Sequence, residues 1–280
     1  MRVISTERSQ ILAARIAGAL NTTVVDVKFT RFPDGEQYLC ADKPDDEMII
    51  VGSIVDNDAL VQLLLLIDAC DCATNRLVIP YMGYARQDKR FHDGEPISAR
   101  AIARTLGRGV ESCITVNIHE REVLKYFDVP TTNLTLARDI GEYIESAALD
   151  DPLILAPDEG ALDFARDVAS AGNWDFDNLE KTRLSGVEVK MAPKKVCAAS
   201  RSVVIVDDII STGGTIATAA GMLYKEGAEQ VYAACVHGVL IGGAYVHLKA
   251  NGIRDIVCSD TIERACSQIS AATRIADALR

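Results

Sequence analysis

The sequence predicts an α/β protein with two tandem domains, each a mostly parallel central sheet flanked by helices. Three observations carry that expectation. Short β-branched runs alternate with segments of helical periodicity along all 280 residues, the rhythm of βα units around parallel strands. The hydrophobic fraction is 49%, enough for sizeable cores. Two segments, RLVIPYMGYARQD from Arg76 and SVVIVDDIISTGG from Ser202, share the order of apolar strand, polar loop and helix.

In chain order, strands are expected over Arg2–Ser5, Met48–Val51, Arg76–Pro80, Cys113–Asn117, Leu153–Ala156, Ser202–Val206 and Gln230–Val236. Each is a short apolar run bounded by polar or turn residues. Helices are expected over Arg8–Leu20, Asn57–Ala69, Ile97–Leu106, Leu136–Ala147, Ala161–Ala171, Thr215–Glu226 and Ile269–Leu279. The best boundary is Asp150–Pro152, where one helix ends and a fresh buried strand begins, giving domains 1–148 and 149–280.

Composition removes several function classes. A formal charge of −11 argues against a surface that binds nucleic acid or an anionic membrane, and confines any polyanion to a local pocket with metal help. No apolar run reaches the ~18 residues of a spanning helix. The richest stretch, around Leu63–Ile67, is cut by Asp68 and Asp71. MRVISTERSQ begins directly as a strand, without a leader pattern. Eight cysteines include no CxxC pair, so reduced structural thiols of a cytoplasmic protein are expected.

In parallel α/β sheets, ligands gather at the carboxyl ends of strands. The chemistry-rich end here is SVVIVDDIISTGGTIATAA, Ser202–Ala220. Asp207 and Asp208 end the expected strand, and Ile209–Thr215 leads into a helix. Gly213 and Gly214 let the backbone turn tightly and aim amides inward, while Thr212 and Thr215 add hydroxyls near a helix N-terminus, with Ser211 in the same binding loop. That is a phosphate cradle without a lysine. The two acids would repel a phosphate but accept well from vicinal hydroxyls, so a sugar phosphate satisfies both halves. The segment has neither a calcium-loop DxDxDG nor a GxxxxGK[ST] pattern.

This signature resembles that of the type I phosphoribosyltransferases, where the acids hold ribose hydroxyls and the loop holds the 5-phosphate. Further motifs extend the likeness over essentially the whole chain. RFPDGE (Arg31–Glu36), YARQDKRFHDGEPISAR (Tyr84–Arg100), ITVNIHE with His119, LILAPDEG with Asp158, and LEKTRLSGVEVK with Lys181 and Arg183 resemble the ribose-phosphate pyrophosphokinase family. The resemblance implies two tandem phosphoribosyltransferase-like domains.

It also implies roles. Phe32 would stack on adenine while Asp34 and Glu36 accept from its amine or from a ribose hydroxyl, in a loop that reaches a neighbouring subunit's site. A homo-oligomer, dimer or higher, with a shared ATP site is therefore expected. Arg86, Gln87, Lys89 and Arg90 would face ATP, its polyphosphate above all. His119 and Asp158 would be magnesium-linked. Magnesium prefers oxygen, which gives His119 a role through an ATP phosphate or a water. Lys181 and Arg183 would close over the transferring phosphates.

The implied reaction transfers the pyrophosphoryl group of magnesium-ATP to the C1 hydroxyl of ribose 5-phosphate, with AMP leaving. No side chain stands out as a general base. The family often has an aspartate at Asn117, a glycine at Ala161, an acid at Ser211 and an alanine at Gly213. The last two departures make the loop more transferase-like, so a nucleobase phosphoribosyltransferase stays open, as does a non-catalytic sensor of phosphoribosyl pyrophosphate.

Overall fold

A computed structural model describes the backbone of residues 1–183, 189–193 and 197–280, and side chains outside 180–196. The chain forms two compact units. The first comprises Met1–Thr135, Asp260–Glu263 and Ser270–Arg280, and the second comprises Leu136–Ser259 and Arg264–Ile269.

In the first unit, β1 (Arg2–Ser5), β4 (Glu47–Val51), β5 (Thr74–Ile79), β6 (Ser112–Val116) and β7 (Thr131–Leu134) form a parallel sheet in the order β1-β4-β5-β6-β7. Between β1 and β4 the chain makes an antiparallel hairpin of β2 (Val27–Arg31) and β3 (Gln37–Ala41). Strand β4 is buried after its first residue, as expected where helices cover both faces of a parallel strand. Helices α1 (Gln10–Ala19), α2 (Asn57–Ala69) and α3 (Ser98–Leu106) accompany the sheet. The Asp56 carboxylate caps α2 by accepting from the Ala59 amide at 2.8 Å. Ile4, Met48, Ile50, Leu63, Leu66, Leu77 and Ile79 make a solvent-free core.

The second unit holds β8 (Leu153–Ala156), β9 (Phe176–Arg183), β10 (Val189–Pro193), β11 (Ser202–Ile210), β12 (Gln230–Gly238), β13 (Ile253–Ser259) and β14 (Ser267–Ile269). Their order is β10-β9-β8-β11-β12-β13-β14, parallel except for the β9/β10 pair. Helices α4 (Ala137–Ser146), α5 (Leu162–Ala169), α6 (Gly214–Lys225) and α7 (Ala244–Ala250) belong to it. Helix α4 meets the α5 end so closely that a Cβ on Gly141 would sit 2.4 Å from the Ala171 Cβ. That packing draws α4 into the second unit, where the sequence placed its division at 148/149. The chain then returns to the first unit as α8 (Ala272–Leu279), which packs on α1. There Arg76 donates to the Leu279 carbonyl, and Arg280 donates to that of Ala19, both at 2.7 Å.

Most expected elements shift by a residue or two at their ends, and three of the differences have a clear physical reason. The helix expected over Arg8–Leu20 opens with a tight 3-10 turn, Glu7–Ser9, before α1. The one expected over Ile269–Leu279 begins only at Ala272, because Ile269 pairs with Ser259 in the sheet. Asp260 then accepts from the Ala271 amide (2.8 Å) and the Ser270 hydroxyl (2.7 Å), a tertiary cap for α8. Strand β11 continues past Val206 to Ile210, because β12 pairs with it as far as Gly238 although β8 stops opposite Ile205. Among the described residues, no helix is long and apolar enough to cross a membrane.

Candidate active-site elements

In the second unit, Asp207 and Asp208 lie inside β11, beyond the last residue paired with β8. The Asp208 amide donates to the Asp207 carboxylate at 2.9 Å. Burial pushes the Asp207 carboxyl up to about 8, and the neighbouring carboxylates of Asp208 and Asp158 push the same way. Hydroxyl donors or a divalent cation would reverse that preference.

After Ile210 the backbone leaves the sheet through Ser211 and Thr212 and enters α6 at Gly213, with φ +75°. A Cβ there would stand 2.9 Å from Leu248, so a left-handed turn and a close neighbour both favour glycine. Ala217 donates to the Gly213 carbonyl at 2.9 Å, which leaves the amides of Gly214, Thr215 and Ile216 at the helix mouth outside the intrahelical ladder. Thr212, Gly214 and Thr215 are exposed around them. The Ile210 and Ser211 carbonyls accept from Leu240 (3.0 Å) and Ile241 (3.2 Å), anchoring the loop from the turn after β12.

Asp158 follows β8, exposed, and its carboxylate accepts from the Gly160 amide at 3.0 Å. Its charge adds to the upward push on Asp207, but among the described residues no three His, Cys, Asp or Glu side chains converge as a group that could hold a metal ion. As a sequence, LEKTRLSGVEVK reads as a polar segment between two strands, with Lys181 and Arg183 in it. Their backbones instead belong to β9, opposite Met191 and Val189, because the ladder with β10 continues to that point. Their side chains, and the rest of that segment at 184–188, lie outside the described residues.

In the first unit, RFPDGE is the turn of the β2/β3 hairpin. The Phe32 amide donates to the Glu36 carbonyl at 2.8 Å, and Gly35 takes φ +98° to close the turn. Asp34 accepts from the Glu36 amide at 3.2 Å. Arg31 donates to Asp58 at 2.6 Å and Gln37 to the Asp58 carbonyl at 3.0 Å, tying the hairpin to the start of α2. Phe32, 50% exposed, meets Tyr38 edge-to-face at 5.7 Å. A broad aromatic surface is thus held open to solvent.

The loop after β5 carries the cations. Gly83 packs against the Ile54 carbonyl too closely for any Cβ, and Tyr84 adopts φ +68° with its hydroxyl on Asn57. Ala85 turns inward while Arg86 is exposed, with no carboxylate in ion-pair range among the described residues. Gln87 accepts from the Ser98 hydroxyl (2.5 Å) and, through its carbonyl, from the Ala99 amide (3.2 Å), so it orders the entry to α3. Lys89 lies 5.8 Å from the Phe91 ring. Arg90 donates to the Glu95 carbonyl at 2.9 Å. His119 is exposed just past β6. The sequence offered no sign of Tyr38, Asn57 or Asp58 as supports, although Asp56-Asn57-Asp58 reads as a helix start.

Residues 1–108 match the model of the N-terminal domain of ribose phosphate pyrophosphokinase, and residues 125–253 match a phosphoribosyl transferase domain. The ribose-phosphate pyrophosphokinase of Methanosarcina acetivorans is 47% identical over 283 residues, covering 100% of this chain and 99% of its own. That of Halobacterium salinarum is 41% identical over 283 residues, covering 99% of this chain and 100% of its own. The crystal structure of phosphoribosylpyrophosphate synthetase from Mycobacterium smegmatis superposes with a TM-score of 0.85 at 25% identity, covering 100% of this chain and 97% of the other.

Proposed function

The chain belongs to the ribose-phosphate pyrophosphokinase family, and from that premise we propose a division of labour among its residues. It is a diphosphokinase that transfers the pyrophosphoryl group of ATP to the C1 hydroxyl of ribose 5-phosphate, giving 5-phosphoribosyl 1-pyrophosphate and AMP. Asp207 and Asp208 accept from the ribose hydroxyls, and Ser211–Thr215 holds the 5-phosphate on the amides at the mouth of α6. The observation that supports this most is the pair of acids on β11 running straight into a left-handed glycine at a helix N-terminus.

ATP engages the first unit. Phe32 stacks on adenine beside Asp34 and Glu36, and Arg86, Gln87, Lys89 and Arg90 face the polyphosphate. The hairpin serves the site of a neighbouring subunit, making the working form a homo-oligomer, dimer or higher. Magnesium would meet Asp158, a hard oxygen donor, with His119 linked to it through phosphate or water, an assignment that rests on the family rather than on a preformed cluster of ligands. When bound, magnesium neutralises phosphate oxygens. Lys181 and Arg183 add positive charge to the transferring group, where positioning and charge dominate the chemistry. No nucleic acid or membrane partner is called for, and the cytoplasm suits this substrate set.

The test is AMP formation from ATP in the presence and absence of ribose 5-phosphate. Strict dependence on the sugar phosphate supports the assignment. Release of pyrophosphate from phosphoribosyl pyrophosphate on adding a nucleobase, without AMP formation from ATP, would overturn it.

A further inference from the structure

Outside the elements assigned above, the second unit holds a pair of thiols in contact. Cys258 is the next-to-last residue of β13, fully buried, and Cys266 precedes β14, half-buried. Their Sγ atoms are 3.4 Å apart, and the Cys258 amide donates to the Cys266 carbonyl at 3.0 Å, which fixes the two backbones together. Closing to a disulfide of ~2.05 Å needs an approach of roughly 1.4 Å.

We propose that Cys258 and Cys266 form a peroxide-sensitive dithiol that closes to an intramolecular disulfide and thereby loosens the sugar-phosphate loop. The chemistry separates the two sulfurs. The hydrogen bond with Cys258 lowers the Cys266 thiol to about 7, the Arg264 guanidinium adds to that, and burial and Asp255 oppose it. Cys258 is shifted upward by the same hydrogen bond and by burial. Four of the other thiols are set against reaction: burial raises Cys70, Cys113 and Cys235, and Asp71 raises Cys72, while Cys40 and Cys197 are exposed elsewhere on the chain. The partly accessible Cys266 is thus the attacking thiolate and Cys258 the resolving thiol.

In the first step the Cys266 thiolate takes the outer oxygen of a hydroperoxide, the O–O bond breaks, and the alkoxide or hydroxide leaves. The Cys258 sulfur then attacks the Cys266 sulfenic sulfur, and hydroxide departs with the Cys258 proton as water. Two thiols lose two electrons in all, and the peroxide is reduced to water, or to alcohol and water.

The route to the loop is short. Arg264, two residues before Cys266, donates to the Gly238 carbonyl (3.2 Å) and the Val239 carbonyl (2.8 Å). The next residues, Leu240 and Ile241, hold the Ile210 and Ser211 carbonyls. The Cys258 sulfur packs on Gly238, where a Cβ would stand 2.7 Å away. Drawing the sulfurs together therefore displaces groups at both ends of this turn.

The coupling to ribose 5-phosphate rests on assigning Asp207–Thr215 to that ligand, whereas disulfide formation does not, so two readouts separate them. The full chain is treated with one equivalent of hydrogen peroxide, mapped by non-reducing peptide mass spectrometry, and assayed for apparent KM. The expected result is a peptide joining Cys258 to Cys266, lighter by two hydrogens and restored by dithiothreitol. With it, KM for ribose 5-phosphate rises at least about threefold while that for ATP holds. Cys258→Ala, with Cys266→Ser as a second variant, should abolish both changes and keep the reduced chain's activity. Unlinked thiols, or Cys266 carried on to sulfinic acid without a link, would overturn the pair. A linked pair with unchanged KM would overturn the coupling through Arg264.

Discussion

A carboxyl group buried beside two others gives up its proton late, and Asp207 is such a group, held at about 8 against an ordinary value of 3.8. Its proton is bound more tightly in the folded than in the unfolded chain. The contribution to stability is therefore complete below the ordinary carboxyl range and is lost as pH rises through the folded value. In the ligand-free chain, melting temperature should fall between pH about 5 and about 8.5 more steeply than in Asp207→Asn, as calorimetry at several pH values would measure. Parallel slopes in the two proteins would reject this electrostatic picture. The double change Asp207→Asn with Asp208→Asn should weaken ribose 5-phosphate binding much more than ATP binding. Titration calorimetry showing unchanged sugar-phosphate affinity would remove the pair from that role. Both residues were legible from their place after an apolar run. Their supports were not, since Leu248 and Leu240 reach the loop only through the fold.

Among elements, β9 carries Lys181 and Arg183, the cations proposed to act on the transferring phosphates. If Lys181 meets charge that develops only during transfer, its loss should lower turnover rather than affinity. Lys181→Ala is expected to lose at least about a hundredfold in kcat, the scale of one oxyanion donor at ~3 kcal/mol, with both KM values held within severalfold. Wild-type turnover in steady-state kinetics would make the side chain ordinary decoration. The contact between α4 and α5 makes a stability prediction. A valine at Gly141 would drive its Cβ to within 2.6 Å of the Val168 carbonyl oxygen, so Gly141→Val should destabilise the second unit by roughly 2–3 kcal/mol, read by urea unfolding.

The elements that the sequence revealed and those it concealed differ in how they are buried. β1, β8 and α2 coincide with their expected limits, because a strand covered on both faces or a capped apolar helix announces itself locally. The β2/β3 hairpin did not. VKFTR and QYLCA alternate half-buried with exposed residues instead of forming an apolar run, and the turn between them reads as a charged loop. Helix α7 and strands β7, β13 and β14 were also passed over, the short β7 and β14 being held by register with the strand before each rather than by a long apolar run of their own.

For the whole molecule, the first question is whether one subunit suffices. If the β2/β3 turn serves a neighbour's ATP, mixing inactive Phe32→Ala with inactive Asp208→Asn should restore part of the activity, since some mixed pairs then assemble one intact site. No recovery despite demonstrated subunit exchange would mean that each subunit works with its own hairpin. The division into two units also has a temporal side. The first unit is not contiguous: α8, with the capping Asp260 and with Glu263 accepting from the Leu12 amide at 2.9 Å, completes it from the far end of the chain. A ribosome emits β1 to β7 first, yet the surface of α1 that α8 covers stays bare until residues 272–279 emerge. The second unit, almost wholly translated by then, can reach its native state before the first, inverting the usual N-to-C sequence of folding. Until α8 emerges, the nascent first unit keeps a face that a holdase would find open.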